Sequence, residues 1–229
     1  MERKHLNKHI IELNEEFLSD EHSLESFKKL RTNLLYTDDL KVISVTSTIP
    51  DEGKTVTTFN LAKVFAEMGK KVLLIDADLR RSSLKNYLMI NTKDIPGLSE
   101  ALTNQSETYV CDTNIANLSI MLSGKRPPNP SEMLSNNRFN KVIDDLKDDY
   151  DYIIIDTPPV AAGADASIIG RVADGIILVI RNDFTKKNAV KRSLKELEAN
   201  GGRVIGCVLN RVKKDSSEYG HYGYYDYYY

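Results

Sequence analysis

Gly53, Lys54 and Thr55 stand between a short β-rich run, KVISVTS (Lys41–Ser47), and a helical pattern over Val56–Met68. A glycine, a lysine and a hydroxyl in that order are the working parts of a phosphate-binding loop. Loop amides and the following helix N-terminus cradle phosphate oxygens, the lysine reaches the β- and γ-phosphates, and the hydroxyl binds Mg2+. The full pattern is GxxxxGK[ST]. Here Thr48 occupies the first glycine position, which leaves the amide cradle available. An ordinary strand-to-helix turn that happens to read GKT is the plain alternative.

Two further apolar runs end in carboxylates. VLLIDADLRR (Val72–Arg81) places Asp76 and Asp78 at one strand end, and IIIDTPP (Ile153–Pro159) places Asp156 at another. A single such acid is often a helix cap or a solvated turn. Three of them at two strand ends, beside a phosphate loop, point to a metal and a proton acceptor. Mg2+ takes oxygen ligands, usually one or two carboxylates with phosphate and water. A phosphoryl acceptor must also lose a proton.

The other chemically loaded segment is Tyr219–Tyr229. It holds Tyr219, Tyr222, Tyr224, Tyr225, Tyr227, Tyr228 and Tyr229, seven of the chain's 12 tyrosines, with Gly220 and Gly223 among them. A core segment would space aliphatic residues at a helix or strand period. This one reads as a tail that displays phenols.

The positioning elements follow from apolar periodicity. Leu24, Phe27, Leu30 and Leu34 give a helix over Ser23–Leu35. Strands are expected at Lys41–Ser47, Lys71–Ile75, Leu118–Leu122, Tyr152–Ile155, Gly175–Ile180 and Val204–Leu209. A helix starting at Asn129-Pro130-Ser131-Glu132 is expected to run to about Leu146. Another spans Lys186–Ala199 and stops at Gly201-Gly202. Strands apolar on both faces and alternating with helices predict an α/β fold, a mostly parallel sheet covered by helices on both faces. Ligands bind such sheets at the carboxyl ends of the strands, where the three motifs fall. Residues 1–22 are polar and irregular and read as an arm.

Bulk composition narrows the classes. With 229 residues and 41% hydrophobic content, the chain is one large domain, or one domain with extensions. A formal charge of −2 gives no overall attraction to nucleic acid or anionic lipid. Cys111 and Cys207 lie far apart with no CxxC, which suits a reducing, cytoplasmic compartment. The longest apolar runs fall well short of the ~20 residues of a membrane span.

Together these motifs resemble the bacterial tyrosine kinases (BY-kinases) of capsular and exopolysaccharide synthesis, in their stand-alone cytoplasmic Gram-positive form. The likeness rests on SxxPxEGKT at the loop, LLIDADLR, IIIDTPP, SGxxPPNPSE over Ser123–Glu132 and the tyrosine cluster. It implies a P-loop NTPase of the ParA/MinD-like scaffold over residues 23–214, an N-terminal arm over 1–22 and a tyrosine-rich tail over 215–229. It implies ATP and Mg2+ as cofactors. Gly53, Lys54, Thr55 and Val56 would bind the nucleotide, and Asn210 would read the adenine edge. Thr55, Asp78 and Asp156 would hold Mg2+, and Lys54, Asp76 and Asp78 would be catalytic. Asp76 is the candidate base, with a second-shell metal role as its alternative. The seven tail tyrosines would accept phosphate in trans.

The family's ExxRxxR ring element reads Glu25-x-x-Lys28-x-x-Arg31 here, so the middle position loses the guanidinium fork. The implied partners are a ring-like homo-oligomer (with an octamer as one candidate size), a membrane adaptor or activator of the polysaccharide co-polymerase type, and a cognate tyrosine phosphatase. Nucleic acid is not among them. The adaptor would recruit the protein to the inner face of the membrane. Asp51 stands where relatives often place glycine, and an acid there should point to solvent. A ParA/MinD-type positioning ATPase is the main alternative. Its signature lysine would fall at Ile49, which argues against it. An iron–sulfur carrier would need a CxxC, and a nonenzymatic adaptor would not need the retained Lys54, Thr55, Asp76, Asp78 and Asp156.

Overall fold

The computed structural model describes residues 5–13, 21–90 and 95–212. The seven tail tyrosines therefore lie outside the described residues.

Eight strands form one sheet in the order β1-β4-β5-β3-β6-β2-β7-β8. They are β1 (Leu6–Ile11), β2 (Val42–Ser47), β3 (Val72–Asp76), β4 (Val110–Thr113), β5 (Leu118–Met121), β6 (Tyr152–Asp156), β7 (Gly175–Arg181) and β8 (Val204–Asn210). Every pairing is parallel except β4 with β5. The helices are α1 (Glu21–Leu35), α2 (Lys54–Glu67), α3 (Leu84–Tyr87), α4 (Leu98–Thr103), α5 (Pro130–Ser135), α6 (Asn137–Lys147), α7 (Asp165–Gly170) and α8 (Lys187–Ala199).

The central strands are apolar on both sides because both sides are covered. Ile43 and Val45 of β2, Val72 and Leu74 of β3 and Ile154 of β6 pack with Phe59, Ala62 and Phe65 of α2. The intervening Val42, Leu73, Ile75, Ile153 and Ile155 pack with Leu102 of α4 and with Phe139, Ile143 and Leu146 of α6. Successive side chains on a strand point to opposite faces, so one unbroken apolar run feeds two cores. α1 lies over α2, with Leu24, Phe27 and Leu30 against the first core.

Three departures from the expected pattern have physical reasons. Residues 6–11 are an edge strand, not part of an arm. β1 pairs β4, Ile11 and Leu13 are buried, and Asn114 bonds both the amide and the carbonyl of Leu13. A mixed polar sequence hides such a strand because an edge strand broken by a bulge, here between Asn7 and Ile10, need not alternate cleanly. The single helix expected from Asn129 to Leu146 is two, α5 and α6. Asn136 is extended (φ −72°, ψ 144°) and its side chain accepts from the amide of Arg138. Asparagine competes for backbone bonds in this way, which favours a cap over a helix interior. β8 is the third departure: it is the outer strand, and Leu209 remains 54% exposed.

The other boundaries match closely. α8 ends where expected, with Gly201 left-handed at φ 86°. The Gly202 amide reaches back to the Leu197 carbonyl, and that of Gly201 to Glu198, the double closure that a glycine permits past a helix end.

Candidate active site

β2, β3 and β6 are adjacent in the sheet and parallel. Their carboxyl ends therefore open on the same side. β2 delivers the loop Ser47–Gly53, β3 delivers Asp76 and Asp78, and β6 delivers Asp156. The pairing of Asp76 with Asp156 in register is what brings two motifs 80 residues apart into one place.

The loop turns into α2 at Gly53, which is left-handed at φ 91°. A Cβ there would also meet the Asn210 amide nitrogen at 2.0 Å, so any other residue is strained and must displace Asn210. Thr48, by contrast, is absent from the positive-φ positions among the described residues. The first position of the motif does not use the freedom that glycine would supply. Asp51 does carry a left-handed backbone, at φ 64°. That is the physical reason a glycine would suit position 51, and Asp is among the residues that tolerate the conformation. Its side chain is exposed, as expected.

Behind the loop sits a tight charged cluster. Lys54 Nζ lies 3.5 Å from Asp78 Oδ2 and 3.7 Å from Asp156 Oδ1, and donates to Thr55 Oγ1 at 3.2 Å. Thr55 Oγ1 donates to Asp156 Oδ2 at 2.7 Å. Asp76 is fully buried, and its Oδ2 accepts from Ser82 Oγ. Burial, then the neighbouring Asp156, push the Asp76 carboxyl up to about 7, against the pull of the Ser82 hydrogen bond. Burial also raises Asp156, opposed by Lys54 and the Thr55 hydroxyl. One ammonium thus pairs with two buried carboxylates while a third, Asp76, lies in register beside Asp156, so the cluster carries more negative than positive charge.

A cleft of about 550 Å3 opens over this cluster. Gly53, Lys54, Thr55, Val56 and Asp78 line it, with Arg80, Arg81 and Arg211 adding positive charge. The deficit and the cleft suit a Mg·nucleotide. Among the described residues no three His, Cys, Asp or Glu side chains form a self-contained metal cage. Mg2+ needs none, since one or two carboxylates plus phosphate and water suffice. The oxygen donors present fit that ion.

Four expected residues, Asn210, Glu25, Lys28 and Arg31, take no part in the charged cluster. Asn210 is spent on the loop itself: its Nδ2 donates to the Glu52 carbonyl at 2.9 Å and its Oδ1 accepts from the Arg211 amide. On α1, Glu25 and Lys28 pair at 2.9 Å in solvent. Arg31 Nη1 instead donates to the Val64 carbonyl of α2, tying the two helices together.

The structure adds residues that motif reading left without a role. Ser83 Oγ lies 2.9 Å from Thr55 Oγ1, so Ser82 and Ser83 place a hydroxyl on each of two motifs. Arg80 forks onto Asp165 at 2.6 and 3.0 Å and donates to Ser131. This joins the DxDxR strand end to the NPSE helix start and to α7. Both motifs were visible in sequence, but nothing in either announced Asp165.

The comparisons agree with this geometry. The AAA-domain family profile matches residues 40–199. Tyrosine-protein kinase CpsD of Streptococcus agalactiae serotype III is 39% identical over 86% of this chain and 85% of its own length. The kinase domain of Escherichia coli tyrosine kinase ETK superposes with TM-score 0.81 at 34% identity, covering 91% of this chain and 84% of that one. The chimerical protein CapA2B2 gives 0.80 at 31%, covering 90% and 94%. The MinC:MinD cell division complex of Aquifex aeolicus gives only 0.64 at 25% identity, covering 76% and 69%. The scaffold is thus the P-loop NTPase fold related to MinD, and within it the chain belongs to the bacterial tyrosine-protein kinases.

Proposed function

We propose that the cleft binds Mg·ATP and transfers the γ-phosphoryl group to tyrosines of the Tyr219–Tyr229 tail, in trans between copies. The observation that carries this is the packing of Lys54, Thr55, Asp76, Asp78 and Asp156 into one cluster beneath a cleft that Lys54, Arg80, Arg81 and Arg211 line with positive charge. Lys54 offsets phosphate charge. Thr55, Asp78 and Asp156 would hold Mg2+, which supplies charge neutralisation across the β- and γ-phosphates when bound. Asp76 accepts the phenol proton: a group with pKa near 10 is a weak nucleophile at neutral pH, and the carboxylate at the end of β3 is the acceptor that the cluster offers. Val56 lines the cleft beside the loop, and Gly53 lets the loop turn into α2. Asn210 reads adenine by exchanging its bonds to the Glu52 carbonyl and the Arg211 amide for bonds to the base.

The relatives support a role in capsular or exopolysaccharide synthesis, and the likeness to CapA2B2 supports a partner that acts as adaptor. No helix among the described residues is long and apolar enough to cross a membrane, so recruitment to the cytoplasmic membrane face is assigned to that partner. Each phosphotyrosine adds about −1.5 to −2 charge, so seven add roughly −10 to −14. Repulsion of that size loosens a ring built through Glu25, Lys28 and Arg31. A tyrosine phosphatase closes the cycle.

Purified protein incubated with Mg·ATP and the adaptor segment is expected to gain phosphotyrosine. ATP hydrolysis without phosphotyrosine would favour a positioning ATPase. Mixing full-length Lys54→Met protein with a tail-deleted active copy tests the trans step: label is expected on the Lys54→Met tail, and its absence contradicts transfer between copies.

A further inference from the structure

Glu52 stands between two residues that line the cleft, Asp51 and Gly53, yet it is itself fully buried. Its carboxylate is bonded to the carboxyl end of β7 and the turn after it, and is not part of the cleft lining. A buried carboxylate must be saturated with donors, and this one is. Oε2 accepts from the Ile49 amide at 2.8 Å. Oε1 accepts from the Arg181 amide at 3.1 Å and from Thr185 Oγ1. Its backbone carbonyl accepts from Asn210 Nδ2. The segment Ile49–Gly53 thus hangs from the carboxyl ends of β7 and β8 through one residue.

The loop has reason to need this support. Its amides must face a phosphate and so cannot all bond one another. Asp51 is left-handed without being glycine. Thr185 belongs to the turn Asn182–Lys186, which also carries Phe184, 46% exposed, beneath the Arg181 guanidinium at 4.2 Å. Neither Glu52 nor Thr185 lines the cleft.

We propose that Glu52 is a positioning residue of the phosphate loop, and that the Asn182–Lys186 turn is coupled to nucleotide binding through its contact with Thr185. The carboxylate holds Ile49–Gly53 in the phosphate-accepting conformation. Nucleotide binding and the conformation of the turn are then linked in both directions. This rests on the nucleotide reading above.

The test is the affinity of the full chain for MANT-ATP with Mg2+, together with KM for ATP, kcat and the thermal midpoint. Thr185→Val and Glu52→Gln are each expected to raise Kd and KM about ten-fold, the scale of one lost hydrogen bond to a charged group. kcat should stay within about three-fold, since neither side chain touches the reacting atoms. Thr185→Ser should restore binding. Glu52→Gln/Thr185→Val should bind no worse than Glu52→Gln alone, because the two changes break one connection. Thr185→Val keeps the test alive if Glu52→Gln does not fold. Binding by Thr185→Val within two-fold of the unchanged protein overturns the proposal, as does a double variant showing the product of the single losses. If the unchanged protein binds no MANT-ATP, the nucleotide reading fails first and this inference with it.

Discussion

Asp76 and Glu25 are both carboxylates, and the molecule treats them in opposite ways. Glu25 sits on the open face of α1, three residues from Lys28, and that single hydrogen-bonded pair holds its carboxyl below the usual range. Asp76 sits at the end of a buried strand beside Asp156 and Asp78, and burial raises it to about 7. Water and one lysine satisfy the first. The second accepts from Ser82 Oγ and from the Asp78 amide, and these two bonds do not offset its burial. The difference teaches where an external charge is wanted: an acid that is comfortable alone marks a solvated face, and acids buried side by side mark a site that suits a cation.

Breaking the cluster should have the largest effect. Lys54→Met removes the one ammonium shared by Asp78 and Asp156, and phosphotransfer should fall by about 10^3-fold or more. Residual activity within ten-fold of the unchanged protein would show that Lys54 is peripheral.

Next comes stability against pH. The ordinary carboxyl value is 3.8, and Asp76 is raised to about 7 in the fold. The folded state therefore binds its proton more tightly than the unfolded chain. That contribution is fully present below pH ~4 and is lost as pH rises through about 7. Asp76→Asn should stabilise the nucleotide-free protein by about 2–4 kcal/mol at pH 8 and by almost nothing at pH 4. Urea unfolding at the two pH values reads this directly. Equal effects at both would remove the claim that Asp76 is ionised at a cost.

Asp51→Gly is a milder change on the cleft rim. It relieves a left-handed non-glycine residue and removes a negative charge near the phosphates. About 1 kcal/mol of added stability is expected, with a KM for ATP lowered a few-fold. A raised KM would mean that Asp51 contributes to binding.

The exposed pair should respond least. Glu25→Gln should leave the thermal midpoint and ATP affinity unchanged, because water replaces the lost partner. Lys28→Arg restores the guanidinium fork and should shift only the oligomer distribution, as read by light scattering. A change in ATP affinity with either would join the two regions that the comparison separates.

Much of this was legible in sequence because buried strands announce themselves. VLLID and YIIID could only be covered on both faces, and parallel strands bring their carboxyl ends together. That logic predicted Asp76, Asp78 and Asp156 at strand ends beside the phosphate loop, and Asp78 and Asp156 do pair with Lys54. It could not find β1, because an edge strand with a bulge needs no clean alternation. It could not foresee the break at Asn136, where local capping overrode a long helical period. Nor could it pair Arg80 with Asp165, or Glu52 with Thr185, because contacts across 85 and 133 residues leave no mark on spacing. Asn210 shows a subtler limit. Its position at the end of β8 was clear, but its use in bracing Glu52 depends on how closely Gly53 approaches it.

The central claim is that the cleft sends the γ-phosphoryl group to tail tyrosines and not to water. Single-turnover incubation with γ-labelled Mg·ATP and the adaptor segment, followed by quantifying label on the Tyr219–Tyr229 peptide and as free phosphate, tests it most directly. The account predicts that most label is found on tyrosines of that peptide, in step with ADP release. Label released as free phosphate with the tail unmodified would contradict it.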